Sequence, residues 1–178
     1  MPRRFTRKHR RDASHEILSF ITRDQRIGEV CMVLQRPDGR IWCAAKQFYY
    51  NHTARLLTGG IHPGEDLDAA LHREVAEETG LTITSFTPAF TVSYTTTVPF
   101  FTWVFHCQVN DDLPVAHDPH EQIHHFEALA PHELATRADT LANLPAEYTP
   151  HLGGTWQAWG RFRAQTHYLL AEYLGHGG

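Results

Sequence analysis

Residues 59–81, which read GGIHPGEDLDAALHREVAEETGL, decide how this chain folds. The two glycines and Pro63-Gly64 predict turns, and the apolar residues that follow recur at helical spacing. We therefore predict a helix from about Asp66 to Thr79. Gly80 stands where a C-terminal cap is expected, because glycine adopts the left-handed conformation that ends many helices.

This predicted helix carries acidic residues on its apolar side. Four apolar residues form one stripe along it: Leu67, Ala70, Leu71 and Val75. Glu74 and Glu78 fall in the middle of that stripe, and Glu77 falls at its edge. Buried carboxylates cost several kcal/mol each unless their charge is compensated, and a divalent cation is the simplest compensation.

Oxygen ligands without a nearby cysteine favour Mg²⁺, with Mn²⁺ as the alternative, over zinc. Such ions bind few protein carboxylates and fill their other positions with water and substrate phosphates. The acids therefore predict a substrate that is a di- or polyphosphate.

The composition is that of an ordinary globular protein. The chain has 178 residues, 42% of them hydrophobic and 20% charged, and a formal net charge of −4. We expect one domain, no membrane span and no overall nucleic-acid signature. The three cysteines lie in strand-like runs without metal-binding spacing, which predicts buried free thiols and a cytoplasmic location.

The N-terminus differs from the rest of the chain. The first eleven residues, MPRRFTRKHRR, carry six Lys or Arg and little that could be buried. We interpret residues 1–14 as a basic, solvated tail and residues 15–178 as a single domain. An RNA contact or an organelle address remains an alternative for this tail.

The remaining chain predicts an α/β (α+β) fold. Residues 29–46 read as a β-hairpin around Pro37-Asp38-Gly39, and a short strand follows at 54–57. Two longer strands follow the helix, one more strand begins at Ile123, and two helices complete the chain.

Within residues 59–81 the spacing resembles the Nudix box. The matching positions are Gly59, Glu65, Arg73, Glu74, Val75, Glu77, Glu78, Gly80 and Leu81, which are all nine constrained positions. The resemblance implies a Nudix-type α/β/α sandwich with a mixed, largely antiparallel central sheet, in which the box is a loop–helix–loop. It also implies hydrolysis of a phosphoanhydride bond in a nucleoside diphosphate derivative, which releases a nucleotide and a phosphorylated group.

The same resemblance implies roles for the residues of the box. Glu74 and Glu78 would be the main metal ligands, and Glu77 a further ligand or the base that deprotonates the attacking water. Gly59 and Gly60 would let the backbone approach the metal closely. Two residues would support the box: Arg73 by pairing with a neighbouring acid, and Glu65 by bracing the loop against the helix.

One more acid is expected from a later loop. Glu121 is the first candidate metal ligand there, followed by Asp118 and Glu127. For base or ribose contact we predict four residues that flank the box, because aromatic faces stack bases and arginine pairs with phosphate: Phe48, Tyr49, Arg55 and Tyr94. The subfamily signatures that would identify the substrate are absent or displaced.

Several alternatives remain open at this point. The site could belong to a 5′-RNA-end pyrophosphohydrolase that uses the basic tail, or to a non-catalytic nucleotide-binding regulatory module. His120 and His124 have the spacing of a helical zinc site, although their segment reads as loop and strand. A homodimer is implied by the family resemblance alone.

Overall fold

The computed structural model describes residues 5–22 and 26–176. In these ranges the strands are β1 (Arg7–Asp12), β2 (Gly28–Gln35), β3 (Ile41–Lys46), β4 (Arg55–Gly60), β5 (Ile83–Thr95), β6 (Phe100–Val109), β7 (Ile123–Leu129), β8 (Tyr148–Thr149) and β9 (Gly154–Thr155). The α-helices are α1 (Leu18–Ile21), α2 (Leu67–Thr79), α3 (Leu134–Ala142) and α4 (Trp156–Gly175).

Seven strands form one mixed sheet in the order β1-β5-β6-β2-β4-β3-β7. The β1–β5 and β2–β6 pairs are parallel, and the other pairs are antiparallel. One apolar core lies between the sheet and α2, and a second lies between the sheet and the helices α1, α3 and α4. The molecule is therefore an α/β/α sandwich, as predicted.

Helix α2 begins and ends as its sequence predicts. The Asp66 carboxylate accepts hydrogen bonds from the backbone N–H groups of Asp68 and Ala69, which caps the N-terminus. Gly80 ends the helix with a φ of 63°, in the left-handed region. The buried face of the helix includes Glu74 and Glu78 together with its apolar stripe, so the acids do share the core side.

The predicted hairpin is only partly correct. β2 and β3 exist, but they share a single pair, Gln35 with Ile41, beside the turn. Beyond that pair β4 lies between them and pairs with both strands. Strand β4 also extends through Gly59 and Gly60, which we predicted as a turn.

Part of the predicted solvated tail over residues 1–14 is a strand, while residues 1–4 lie outside the described residues. Arg7–Asp12 forms β1 at one edge of the sheet. The long side chains pack by their stems and rings: Arg7 lies over the Tyr173 ring at 5.0 Å, and His9 contacts Phe90 at 5.4 Å. An edge strand needs few apolar residues when it packs in this way, which explains why its composition suggested a tail.

The core beside α4 contains a buried histidine. The Nε2 atom of His167 accepts a hydrogen bond from the backbone N–H of Leu56 at 3.1 Å, and the side chain is almost fully buried. Burial, with lesser contributions from Arg55, Arg137 and Arg163, lowers the pKa of His167 to about 3. The imidazole is therefore neutral in the folded protein.

This histidine predicts a pH dependence of stability. The unfolded chain takes up a proton at His167 below about pH 6.5, whereas the folded chain does so only near its lowered pKa, so stability falls as the pH drops between these values. Replacing His167 with Gln should cost about 1–3 kcal/mol near neutral pH. It should also remove up to roughly 5 kcal/mol of the decrease in the free energy of unfolding that acidification causes in the wild type.

Urea unfolding at several pH values measures both effects. His132→Gln, at an exposed position, is the control. If His167→Gln and the wild type lost stability in parallel on acidification, His167 would not be the buried neutral group described above.

Candidate active site

Arg73 joins the loop that precedes α2 to the acids on the helix. Its guanidinium uses all five N–H donors: two on the Glu65 carboxylate at 2.8 and 2.9 Å, one on the Gly60 carbonyl, one on Glu74 at 2.7 Å and one on Glu77 at 3.1 Å. The Arg73 hydrogen bonds lower the pKa of Glu65 to about 2. Since every donor is engaged within the protein, Arg73 holds the site together rather than contacting substrate.

Glu74 lies directly against the backbone of β4. A Cβ atom added to Gly59 would lie 1.9 Å from the Glu74 carboxyl carbon, so only glycine fits at this position. Burial raises the pKa of Glu74, although the hydrogen bond from Arg73 opposes this. The close approach predicted for Gly59 is therefore an approach to Glu74.

Glu78 is the most deeply buried acid of the site, with a side chain only 4% exposed. Burial raises its pKa to about 8, and the nearby Glu121 and Glu74 carboxylates contribute in the same direction. The nearest counter-charge is Lys46, whose Nζ lies 3.8 Å from a Glu78 oxygen and 2.5 Å from Glu121. Lys46 and, to a smaller extent, Arg55 favour the charged form of Glu78, but burial outweighs both.

Glu121 lies at the same site, although it comes from the loop before β7. Its carboxylate accepts a hydrogen bond from Lys46 at 2.5 Å and is close enough to Glu78 to raise the pKa of that acid. Burial acts to raise the pKa of Glu121, but the Lys46 ammonium outweighs burial and the pKa is lowered. Glu77 is the outermost acid, with a side chain 45% exposed and one oxygen bonded to Arg73.

These acids fit a divalent cation. Glu74 and Glu78 are buried with raised pKa values, the Glu121 carboxylate acts to raise the pKa of both, and the nearby ligands are oxygen atoms. Among residues 5–22 and 26–176, no three His, Cys, Asp or Glu side chains are arranged to hold a metal ion. In the structure Arg73 donates a hydrogen bond to Glu74, and Lys46 donates one to Glu121. A cation would need these carboxylate oxygens as ligands.

Three of the four residues predicted for substrate contact lie together: Arg55 contacts Tyr49, and the ring centroids of Phe48 and Tyr49 are 5.1 Å apart. Arg55 is buried and donates to the Tyr49 hydroxyl, the Leu56 carbonyl and Thr58. Tyr49 packs against Trp159 in the core. The Arg55 and Tyr49 side chains are both buried, and with Lys46 and Glu78 they line a small cavity, so their assignment to substrate stays a prediction.

The other two predicted contacts differ from expectation. The Tyr94 side chain is buried against Phe162, beneath α4, so it is not available at the surface. Phe48 is half-buried and stacks on His151 at 5.0 Å. The prediction fails for Tyr94, because the alternation of β5 directs it into the core, and Phe48 keeps only a partly exposed edge.

The lower-ranked acids and the histidines have other partners. Glu127 is paired with Arg137, and Asp118 caps the short 3₁₀ turn that carries His120. His124 lies on β7, so it does not share a helix with His120. The helical zinc alternative is therefore wrong.

Lys46 is the site residue that the sequence interpretation missed. It lies at the end of a buried strand, where an irregularity in the register between Ala45 and Lys46 occurs. A signal was available: Ala44 belongs to the core beside α2, and alternation places Lys46 on the same face. A lysine that follows a wholly buried strand on the α2 side points towards the acids.

The contact between Gly59 and Glu74 gives a second prediction. Gly59→Ala should displace Glu74 and reduce hydrolysis roughly 10²-fold, because the site tolerates no shift of about 1 Å. Gly60→Ala is the matched comparison, since its added methyl group would meet only the flexible end of Arg26 at 3.0 Å. Steady-state rates of the two variants should differ strongly, and equal rates would contradict the described packing.

Comparison with known proteins agrees with this geometry. The NUDIX domain model matches residues 25–152. RNA pyrophosphohydrolase from Caulobacter vibrioides is 45% identical over 56 residues, which are 30% of this chain and 31% of that protein. The aligned region therefore spans about a third of the length of this relative.

Two solved structures share the fold at low identity. The Ap4A hydrolase of C. elegans, in a binary complex, aligns with a TM-score of 0.52 and 17% identity over 83% of this chain and 96% of that chain. The NUDIX domain of Shewanella oneidensis NrtR, crystallised with ADP ribose, aligns with a TM-score of 0.51 and 13% identity. The alignment covers 62% of this chain and 77% of that chain. The fold of this chain, a mixed sheet between helices, is thus shared with these two proteins.

This chain belongs to the Nudix family. No helix in the described part of the chain is long and apolar enough to cross a membrane.

Proposed function

We propose that this protein is a Mg²⁺-dependent hydrolase that cleaves a phosphoanhydride bond in a nucleoside diphosphate derivative. The products would be a nucleotide and a phosphorylated group. The observation that carries the proposal is the buried pair Glu74 and Glu78 on the core side of α2, which lacks sufficient counter-charge in the protein itself. Family membership supports the reaction class.

Glu74, Glu78 and Glu121 would hold the cation, with the Gly59 backbone beside them. A divalent cation supplies Lewis-acid chemistry there: it neutralises charge on phosphate oxygens and makes water a better nucleophile. Mn²⁺ would serve in place of Mg²⁺, because both are hard ions that accept carboxylate oxygens.

Glu77 is the acid that we assign to accept the proton of the attacking water. It is the most exposed of the three helix acids, and Arg73 fixes one of its oxygens at 3.1 Å. Arg73 also ties Glu65 and Gly60 to the helix, which holds the loop and the acids in one arrangement before the substrate arrives.

Lys46 would balance the negative charge of Glu78 and Glu121 in the absence of a metal. When a divalent cation compensates the charge of Glu78, Lys46 would move away from that carboxylate. The three free cysteines, which are all buried, support a cytoplasmic location. A homodimer, implied by the resemblance alone, stays a prediction.

A substrate panel tests the proposed function. We would incubate the protein with nucleoside triphosphates, dinucleoside polyphosphates, ADP-ribose, nucleotide sugars and 5′-triphosphorylated RNA, each with Mg²⁺, with Mn²⁺ and with excess chelator. We expect hydrolysis of at least one substrate class that stops with chelator and returns with Mg²⁺. Nucleotide binding without hydrolysis of any class would favour the regulatory module instead.

One observation favours RNA 5′ ends as a second candidate substrate. The 56 aligned residues that are 45% identical to an RNA pyrophosphohydrolase accompany an N-terminal strand rich in Lys and Arg. Cleavage of 5′-triphosphorylated RNA in preference to free nucleoside triphosphates would support this candidate.

A further inference from the structure

The sheet has an open groove on the same face as α2, towards the edge formed by β1. The groove has a volume of about 590 Å³ and is lined by Phe5, Lys8, His9, Thr91, Ser93, Phe101 and Trp103. Helix α2 packs over the opposite half of this face. Among residues 5–22 and 26–176, α2 does not cover the part of this face beside β1, which leaves space for a ligand of the size of a nucleobase.

A continuous row of residues leads from this groove to the candidate active site. Successive neighbours across the strands are Lys8, Thr91, Trp103, Val30 and Gly59. Neighbouring residues in register point to the same face of a sheet, and four strand spacings cover roughly 19 Å. The row ends at Gly59, against which the Glu74 carboxylate is packed.

Two aromatic rings form the floor of the groove. Trp103 and Phe101 are half-buried, with ring centroids 5.4 Å apart and planes tilted by 33°. Gly28 makes room for the indole, because a Cβ atom there would lie 2.4 Å from Trp103. Exposed aromatic faces of this kind stack on nucleobases with little dependence on sequence.

The cations of β1 divide between the two faces of the sheet. Lys8 and Arg10 share the face of Trp103 and Phe101, because they pair with Thr91 and Ser93. Arg7 and Arg11 alternate with them and point to the α4 side. Lys8 lines the groove itself, whereas Arg10 and Asp12 follow it on the same face beyond the lining.

We propose that this groove is a subsite for the nucleotides of single-stranded RNA that follow a 5′ phosphoanhydride held at the acids of α2. Trp103 and Phe101 would stack on the bases, while Lys8 and Arg10 would neutralise phosphodiester groups. The inference rests on the proposed function for the position of the 5′ end, and it adds RNA as the substrate class. The row passes through Val30 and Gly59, which are buried, so it gives the distance between groove and site, and the positive charge of β1 is what supports RNA over other occupants.

The test uses the full chain and a short A-rich RNA with a 5′-hydroxyl, labelled with a fluorophore at its 3′ end. This probe contains no phosphoanhydride, so its binding does not depend on hydrolysis. Lys8→Gln/Arg10→Gln should weaken its binding about tenfold and reduce the slope of log K against log salt by about 1.4, as expected for two lost phosphate contacts. Arg7→Gln/Arg11→Gln removes the same charge from the same strand and should leave the affinity near that of the wild type.

Tryptophan fluorescence locates the bound RNA. Trp42, Trp156 and Trp159 are buried, and Trp103 is the partly exposed indole. RNA should quench the wild-type emission, whereas Trp103→Phe should lose the quench and retain binding through the phenyl ring. ADP alone should produce little quench, which distinguishes RNA from a free nucleotide.

Three results would overturn the proposal: equal weakening by the two double variants, absence of quenching at saturating RNA, or sedimentation that shows a second copy of the chain covering the groove. If the substrate panel shows no hydrolysis but RNA quenches Trp103, the proposed reaction fails and the RNA subsite stands. If hydrolysis occurs and RNA leaves Trp103 unaffected, the subsite fails and the proposed reaction stands.

Discussion

Glu78→Gln is expected to lower Mg²⁺-dependent hydrolysis roughly 10³-fold while making the metal-free protein more stable. The amide keeps the size of the side chain but cannot serve as an anionic ligand, so the charge stabilisation supplied at the phosphate is lost. Stability should rise by about 1 kcal/mol, because the substitution removes an under-compensated carboxyl group from a site where its side chain is 4% exposed.

Two measurements on the same variant check these opposite effects. Initial rates on the best substrate of the panel report activity, and urea unfolding in the presence of chelator reports stability. Asp68→Asn, in the first turn of α2, changes an acid on the same helix and should leave the rate near wild type. An active Glu78→Gln variant would remove Glu78 from the metal site.

Arg163→Met is expected to destabilise the protein by about 3–5 kcal/mol, because it leaves Glu29 buried without its partner. Arg163 Nη1 donates to Glu29 at 2.6 Å, and Thr102 donates to the same oxygen. Burial acts to raise the pKa of Glu29, but Arg163 lowers it below its ordinary value. Glu29 therefore remains charged in the core beside α4.

The double variant Glu29→Gln/Arg163→Met separates the value of the pair from the penalty of an unpaired charge. It should recover most of the loss, because replacing both charged partners is far less costly than removing one. Urea unfolding of the two single variants and the double variant completes a double-mutant cycle. Additive losses would show that the two side chains do not interact as the structure describes.

The parts of the fold that could be predicted are those whose signals are local. Helix α2 was predicted to within a residue or two, since its Asp66 cap, its apolar stripe and Gly80 all lie within one short segment. The placement of Glu74 and Glu78 on its buried face followed from the same periodicity. The role of these acids as ligands stays a prediction.

The errors arose where pairing is non-local. The predicted β2–β3 hairpin is only partly correct because β4 lies between its strands beyond the first pair. No signal within residues 29–46 indicates that β4 lies there. Strand β1 has no apolar pattern to predict it, because an edge strand can pack Arg7 against Tyr173 of α4 and His9 against Phe90 of β5. Tyr94 was assigned to substrate because nearness to the box in sequence does not fix which face of β5 it occupies.

Binding of Mn²⁺ to the wild type and to Glu78→Gln, followed by electron paramagnetic resonance of the free ion, tests the central claim most directly. It measures the metal at the acids of α2 without requiring knowledge of the substrate. The account predicts that the wild type depletes the free-ion signal, that Mg²⁺ competes for the same site, and that Glu78→Gln loses this binding while it remains folded. Equal Mn²⁺ binding by the wild type and the variant would contradict the assignment of a metal-dependent hydrolase centre to Glu74 and Glu78.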